Sequence, residues 1–312
     1  MEGAVHYVGI SGGTLPVEQF DLGHGVSMHR TYAHLMSPCL MAFAPAEAGK
    51  PHPAPWRAAK GGFSFDITIE LRIGDDQKPR GFNDAETAAW ILTLLRLGYA
   101  PYLTAPVTID MPFSEAPRSE DAPTITPLET EDRNFFKSAE RPDEIPLHEL
   151  EWLKTAWHPA AELARANPQL LTALQAFDAC RVRTRTSQSV LTIWGALEQL
   201  FAPSAGELRH RVAANIAAYL VPRGPERLAT YKHVLKLYNA RSAAAHTAKD
   251  LDRGVMLESW VILRNALVKI ITEQRVPSQT DFEHLLYADV SPVDDGAISW
   301  GGRPKTTADS SG

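Results

Sequence analysis

The feature that most constrains this chain is a change of hydrophobic period near Pro146. Before it, the run Phe63-Ser-Phe-Asp-Ile-Thr-Ile-Glu-Leu-Arg-Ile73 alternates apolar and polar residues, the period of two that marks a strand with one buried face. After it, apolar residues recur at helical spacing as far as residue 287. A chain that switches once in this way reads as an α+β region followed by an all-α region. Its 312 residues are enough for two domains, each with its own core.

In the first region, residues 102–109 form a second strand and Met28 to Phe43 hold one or two more. Asn83 caps a helix from Asp84 to Leu97, which Gly98 ends. Residues 44–62 are rich in Pro, Ala and Gly and read as a loop. Residues 110–146 carry many prolines and acidic residues without periodicity and read as an irregular linker. Helices follow at 147–165, 168–180 and Ser187 to Phe201. Ser204-Ala-Gly-Glu207 reads as a capping box that opens a helix to about Leu220. Pro225 starts a helix to about Ala244, 253–274 forms the last long helix, and 280–287 a short one. Four long helices joined by short connections imply an antiparallel bundle. The domain expectation is therefore 1–145 α+β with an acidic linker, 146–290 helical bundle, and 291–312 a disordered tail.

Net charge is −6, which alone argues against a polyanion as partner. The distribution argues the other way. Residues 181–275 carry 15 Lys and Arg against 7 Asp and Glu, whereas the rest of the chain carries 16 against 30. The bundle is thus the segment suited to face nucleic acid. Cys39 and Cys180 match neither a disulfide framework nor a metal-ligand spacing, and the first residues lack the basic and apolar regions of a signal peptide. A reducing cytoplasm and no membrane partner are the expectations.

The chemistry-bearing run is Arg241-Ser242-Ala243-Ala244-Ala245-His246, at the end of a long helical pattern inside the basic region. Arg holds phosphate through a planar fork of donors, and His exchanges a proton near neutral pH. Five residues separate them, which puts the two positions about 140° apart on a straight helix. They meet if the helix ends between them or if a partner subunit completes the site. Arg and His near a helix end can also simply satisfy the last carbonyls and the helix dipole.

The segments Ala196-Leu-Glu-Gln-Leu-Phe201, Leu237-Tyr-Asn-Ala-Arg241 and then His246 together resemble the HEPN superfamily, closest to its Apea-like subgroup, over about residues 185–290. The resemblance implies an all-α bundle of HEPN type that homodimerises and brings two Arg–His sets into one cleft. It implies a metal-independent endoribonuclease of the kind found among toxins and antiviral defence effectors, with RNA as substrate and neither metal nor cofactor. Ser242 stands where such proteins often carry Asn or Asp. In the implied mechanism Arg241 and His246 are catalytic and Glu198, on a facing helix, orients one of them. Tyr238 and Asn239 line the cleft, although Tyr238 also suits the core. Ser242, Asn239, Arg209, Arg211, Lys232 and Lys236 are the candidate RNA contacts. The α+β region would then sense a trigger ligand or protein, or restrain the nuclease. The alternative is a non-catalytic HEPN module that binds nucleotide, RNA or a protein partner.

Other signals carry less. His24, His29 and His34 recur at an odd spacing that alternates strand faces, so they do not converge on a metal. Gly9-Ile-Ser-Gly-Gly13 lacks the Lys-Ser/Thr of a phosphate-binding loop and reads as a turn. Trp152, Trp157 and Trp194 read as core residues.

Overall fold

The structure is a computed structural model that describes residues 5–37, 40–58, 63–74, 78–129, 135, 137–138, 140–182, 185–202, 208–246 and 250–288. Side chains at 37, 40, 63 and 243–246 fall outside that description. So do Cys39, the Ser204–Glu207 capping box and the tail expected at 291–312.

An antiparallel six-stranded sheet forms the first region, in the order β2-β3-β6-β1-β7-β8. Its strands are β1 (His6–Ser11), β2 (Gln19–Gly23), β3 (Val26–Ser37), β6 (Phe63–Ile73), β7 (Thr104–Ile109) and β8 (Ile125–Pro127). The alternating run Phe63–Ile73 is the whole of β6, and it pairs with β3 and β1 on either side. The helix α1 (Asp84–Gly98) begins as its sequence predicts. Asn83 Oδ1 accepts from Glu86 N at 2.9 Å, and Glu86 Oε2 accepts from Asn83 N at 2.8 Å. Seven helices follow among the described residues: α2 (Leu147–Ala166), α3 (Pro168–Ala179), α4 (Thr186–Phe201), α5 (Leu208–Leu220), α6 (Pro225–His246), α7 (Arg253–Glu273) and α8 (Gln279–Tyr287).

The structure corrects three sequence expectations. Gly9-Ile-Ser11 is not a turn but the end of β1, a central strand, and only Gly12, with φ of 100°, turns the chain. Gly9 fits there because the ring of Phe113 occupies the space a side chain would take: an added Cβ would lie 2.8 Å from Phe113 Cζ. The stretch 44–62 contains a strand, β5 (Trp56–Ala58), paired with β4 (Leu40–Ala42) in a separate two-stranded sheet. All three residues of β5 are exposed, so no alternation marked it. The stretch 110–146 contains β8, which closes the sheet at its edge, where Pro127 leaves no central ladder bond unmade.

Both faces of the sheet are covered. On one face Ile67, Val107 and Ile109 pack with Phe113, and the buried carboxylate of Glu70 accepts from Phe113 N at 2.6 Å. On the other face Val8, Ile10, Met28, Ile69 and Leu71 meet α1 and α2 in a buried cluster that continues into the bundle as far as Phe282. Trp157 of α2 joins the two regions: its Nε1 donates to Leu22 O of β2 at 2.9 Å, and its carbonyl accepts from Trp90 Nε1 of α1 at 2.8 Å. Burying an indole this size while pairing its N–H stabilises the contact by about 2–3 kcal/mol. Trp194 is fully buried, and Trp152 is partly buried against the same core.

The acidic stretch after β8 is tied down by charge. Glu129 pairs with Arg96 of α1 and with Arg181 after α3, and Asp178 pairs with both arginines. Arg96 and Arg181 are each 1% exposed, and Leu103 O accepts from both. Burial alone would raise the carboxyls of Glu129 and Asp178. The two guanidinium groups outweigh it and hold both below the ordinary range.

Candidate functional site

The residues of the Arg–His run and its neighbours gather where α4, α5 and α6 pack together. On α4, Val190, Ile193, Trp194, Leu197 and Phe201 form the buried stripe. Glu198 follows Leu197 and so sits at the stripe's edge, facing α6. Tyr238 is buried on α6 with its ring edge-on to Trp194, centroids 5.2 Å apart. Its hydroxyl donates to Glu198 Oε1 at 2.7 Å. Arg241 lies three residues further along, so its side chain shares that side of the helix. Its Nη2 donates to Glu198 Oε2 at 3.2 Å, and its Cζ is 5.4 Å from the centre of the Tyr238 ring.

Glu198 Oε1 accepts from the Tyr238 phenol and also lies 3.2 Å from Arg241 Nη2, so the guanidinium faces both carboxylate oxygens. Burial, then the hydrogen bond to Glu198 and its negative charge, push the Tyr238 hydroxyl up to about 12. It stays a neutral donor at neutral pH, and Glu198 meets Arg241 from one side. Arg241 Nε is buried and has no hydrogen-bond partner among the described residues. Tyr238 is thus at once a core residue and the clamp on Glu198.

Beside this cluster a second chain of polar contacts crosses from α5 to α6. Arg209 Nη1 donates to Asn239 Oδ1 at 3.4 Å, Arg209 Nη2 lies 2.9 Å from His210 Nε2, and His210 Nδ1 lies 2.8 Å from the Tyr231 hydroxyl. No sequence motif marks His210, and the helical spacing of Leu228, Tyr231, Leu235 and Tyr238 puts Tyr231 on an apolar stripe. Only the side-by-side packing of α5 and α6 brings the two together. Lys232, Lys236 and Asn239 recur at spacings of four and three and are exposed along one face of α6. Ser242 is half-buried on the same helix, and Arg211 is half-buried on α5 and engaged in contacts of its own.

His246 is the last residue of α6, and its side chain lies outside the described residues. The backbone bears on the sequence reading. α6 is helical through His246, so it does not end between Arg241 and His246. The two positions stay about 140° apart on one axis.

The three histidines at 24, 29 and 34 have separate partners, His24 lying in the turn between β2 and β3. His24 stacks on His158 at 3.9 Å, His29 Nε2 is 2.9 Å from Ser27 Oγ, and His34 Nδ1 is 2.7 Å from Asp66 Oδ1. Among the described residues no group of three or more His, Cys, Asp or Glu side chains could hold a metal ion. No helix among them is long and apolar enough to cross a membrane.

No family model, curated protein or solved structure matches the chain.

Proposed function

We propose that the bundle is a metal-independent endoribonuclease of HEPN type. The observation that carries this reading is the fixing of Arg241 by Glu198 across two helices, with Tyr238 holding the same carboxylate. A guanidinium anchored on one side and five residues from a histidine on the same helix is suited to receive a phosphate on its other side. The exposed Lys232 and Lys236, with Arg209 at Asn239, supply cations along the path a ribose-phosphate backbone would take.

In the proposed reaction the ribose 2′-oxygen attacks the adjacent phosphorus as its proton passes to a base. The bond from phosphorus to the 5′-oxygen breaks, and that oxygen takes up a proton. The products carry a 2′,3′-cyclic phosphate and a 5′-hydroxyl. His246 is the proton-transfer group, and Arg241 stabilises the charge that develops on the phosphorane. Because α6 runs unbroken through His246, a two-fold partner is the arrangement by which the Arg–His sets complement each other. The setting this suits is a regulated toxin or antiviral effector in the cytoplasm, with the sheet region sensing a trigger or restraining the bundle.

The second reading is a non-catalytic module of the same type that binds nucleotide, RNA or a protein. It is favoured by the same ion pair, since a guanidinium already neutralised by Glu198 can serve structure alone. The experiment compares wild type, His246→Ala and Arg241→Ala on total RNA in EDTA, with analysis of the new ends. Cleavage that gives cyclic-phosphate ends and falls at least 100-fold in both variants supports the nuclease (about 10²–10⁴-fold is typical for a proton-transfer group). Binding of RNA without cleavage by any of the three supports the module.

A further inference from the structure

We infer that the cleft between the N-terminal half of α1 and the sheet is a binding site for a small, neutral, mainly apolar molecule that carries one hydroxyl or carbonyl group. Its volume is about 410 Å³, within the range of small-ligand pockets.

The cleft exists because of one stripe of α1. Ala85, Ala88, Ala89 and Leu92 stand at i, i+3, i+4 and i+7, one face of the helix, and three of the four are alanine. Further along, Ile91, Leu94 and Leu95 fill the space to their neighbours. Toward the capped end the alanines do not reach the sheet, and Val8, Ile10 and Leu71 form an apolar wall across the gap. Water in such a space finds few partners, so an apolar ring displaces it favourably.

The polar groups decide what kind of occupant. Thr108 and Thr126 are directly paired across β7 and β8, line the cleft at one end, and make no side-chain hydrogen bond among the described residues. On β1, His6 also lines the cleft, and its Nε2 is buried without a partner. An unpaired buried nitrogen is costly, and a polar group of a ligand within reach would satisfy it. Glu129 is the lining carboxylate, and it is already balanced by Arg96 and Arg181. A charged ligand thus finds no free counter-charge among the described lining residues, whereas a neutral one keeps the ion cluster intact. The same carboxylate places the cleft beside the contact that joins α1 to the bundle at Arg181, so an occupant would bear on how the two regions are held together.

The test titrates the full chain with N-phenyl-1-naphthylamine, a neutral probe whose emission rises in apolar surroundings. The variants are Ala89→Phe and Ala85→Leu, which change exposed rim positions on a helix and fill the cleft from its mouth, and Leu228→Ser, which removes an exposed apolar side chain of α6. Thermal melting first establishes that each is folded. The expected result is saturable one-to-one binding to wild type and Leu228→Ser, weakened at least tenfold in one or both rim variants. We also expect 2-naphthol to displace the probe at lower concentration than naphthalene, a difference abolished in Thr126→Val. Absence of saturable binding to wild type, or wild-type affinity in both folded rim variants, overturns the site. Equal displacement by 2-naphthol and naphthalene overturns its polar end.

Discussion

At the scale of single residues, the fold depends on pairs that no local rule links. Gly9 sits mid-strand, where glycine normally weakens a sheet, because Phe113 from a distant loop fills the missing side chain's place. Gly9→Ala would push a methyl group to 2.8 Å from Phe113 Cζ and 3.0 Å from Ile67 Cγ2. We expect it to destabilise by about 1–3 kcal/mol, the usual range for overpacking. Phe113→Leu should restore part of that loss, so the two changes will be less costly together than their sum in urea unfolding. Glu198 behaves similarly. Its value to the site comes from Tyr238 and Arg241, some forty residues later in sequence and adjacent only in space.

Among the elements, the junction that matters most is the buried ion cluster between α1, the stretch after β8 and the end of α3. Removing one member of such a cluster leaves the others charged and unpaired in a poorly solvated place. Glu129→Ala should therefore cost about 3–5 kcal/mol, far more than loss of an exposed ion pair. The pH dependence has a definite sign. The folded chain holds the Glu129 and Asp178 carboxyls below their unfolded values, so the unfolded chain binds protons more readily. The stabilisation is complete above the unfolded range of about 4 and is lost as pH falls through the lowered folded values. Urea unfolding measured from pH 7 down to pH 3 should show wild type losing stability steadily. Glu129→Gln should start lower and decline less. An equally steep decline in both would mean that other carboxylates govern acid stability.

For the whole molecule, the sheet region and the bundle share a buried cluster that runs through α1 and α2. Trp157 donates to β2, Phe135 packs 4.6 Å from the Trp260 ring of α7, and Arg264 of α7 donates to Gly98 O at the end of α1. With the boundary bridged at these points, we expect the chain to melt in one cooperative transition. Scanning calorimetry should give a calorimetric enthalpy equal to the van't Hoff value. Two resolved transitions, one of them unchanged by Glu129→Gln, would mean that the regions unfold independently.

Local pattern by itself determined most of the helices and the strand β6. Period and capping residues are properties of neighbouring positions, so α1 to α4, α6 to α8 and β6 could be read within a residue or two of their ends. The resemblance, not the local pattern, named Glu198 as a residue to orient either Arg241 or His246, and only the packing of α4 on α6 puts it against Arg241. Tertiary structure decided the rest. β1 became a central strand because Phe113 and two neighbouring strands accept it, and β5 and β8 formed by pairing where their own residues show no alternation. The Arg96–Arg181–Glu129–Asp178 cluster, the Arg209–His210–Tyr231 contacts and the cleft under α1 each require residues far apart in the chain. Period and capping act over one or two turns, whereas charge pairing and cavity shape are fixed only when distant elements are packed together.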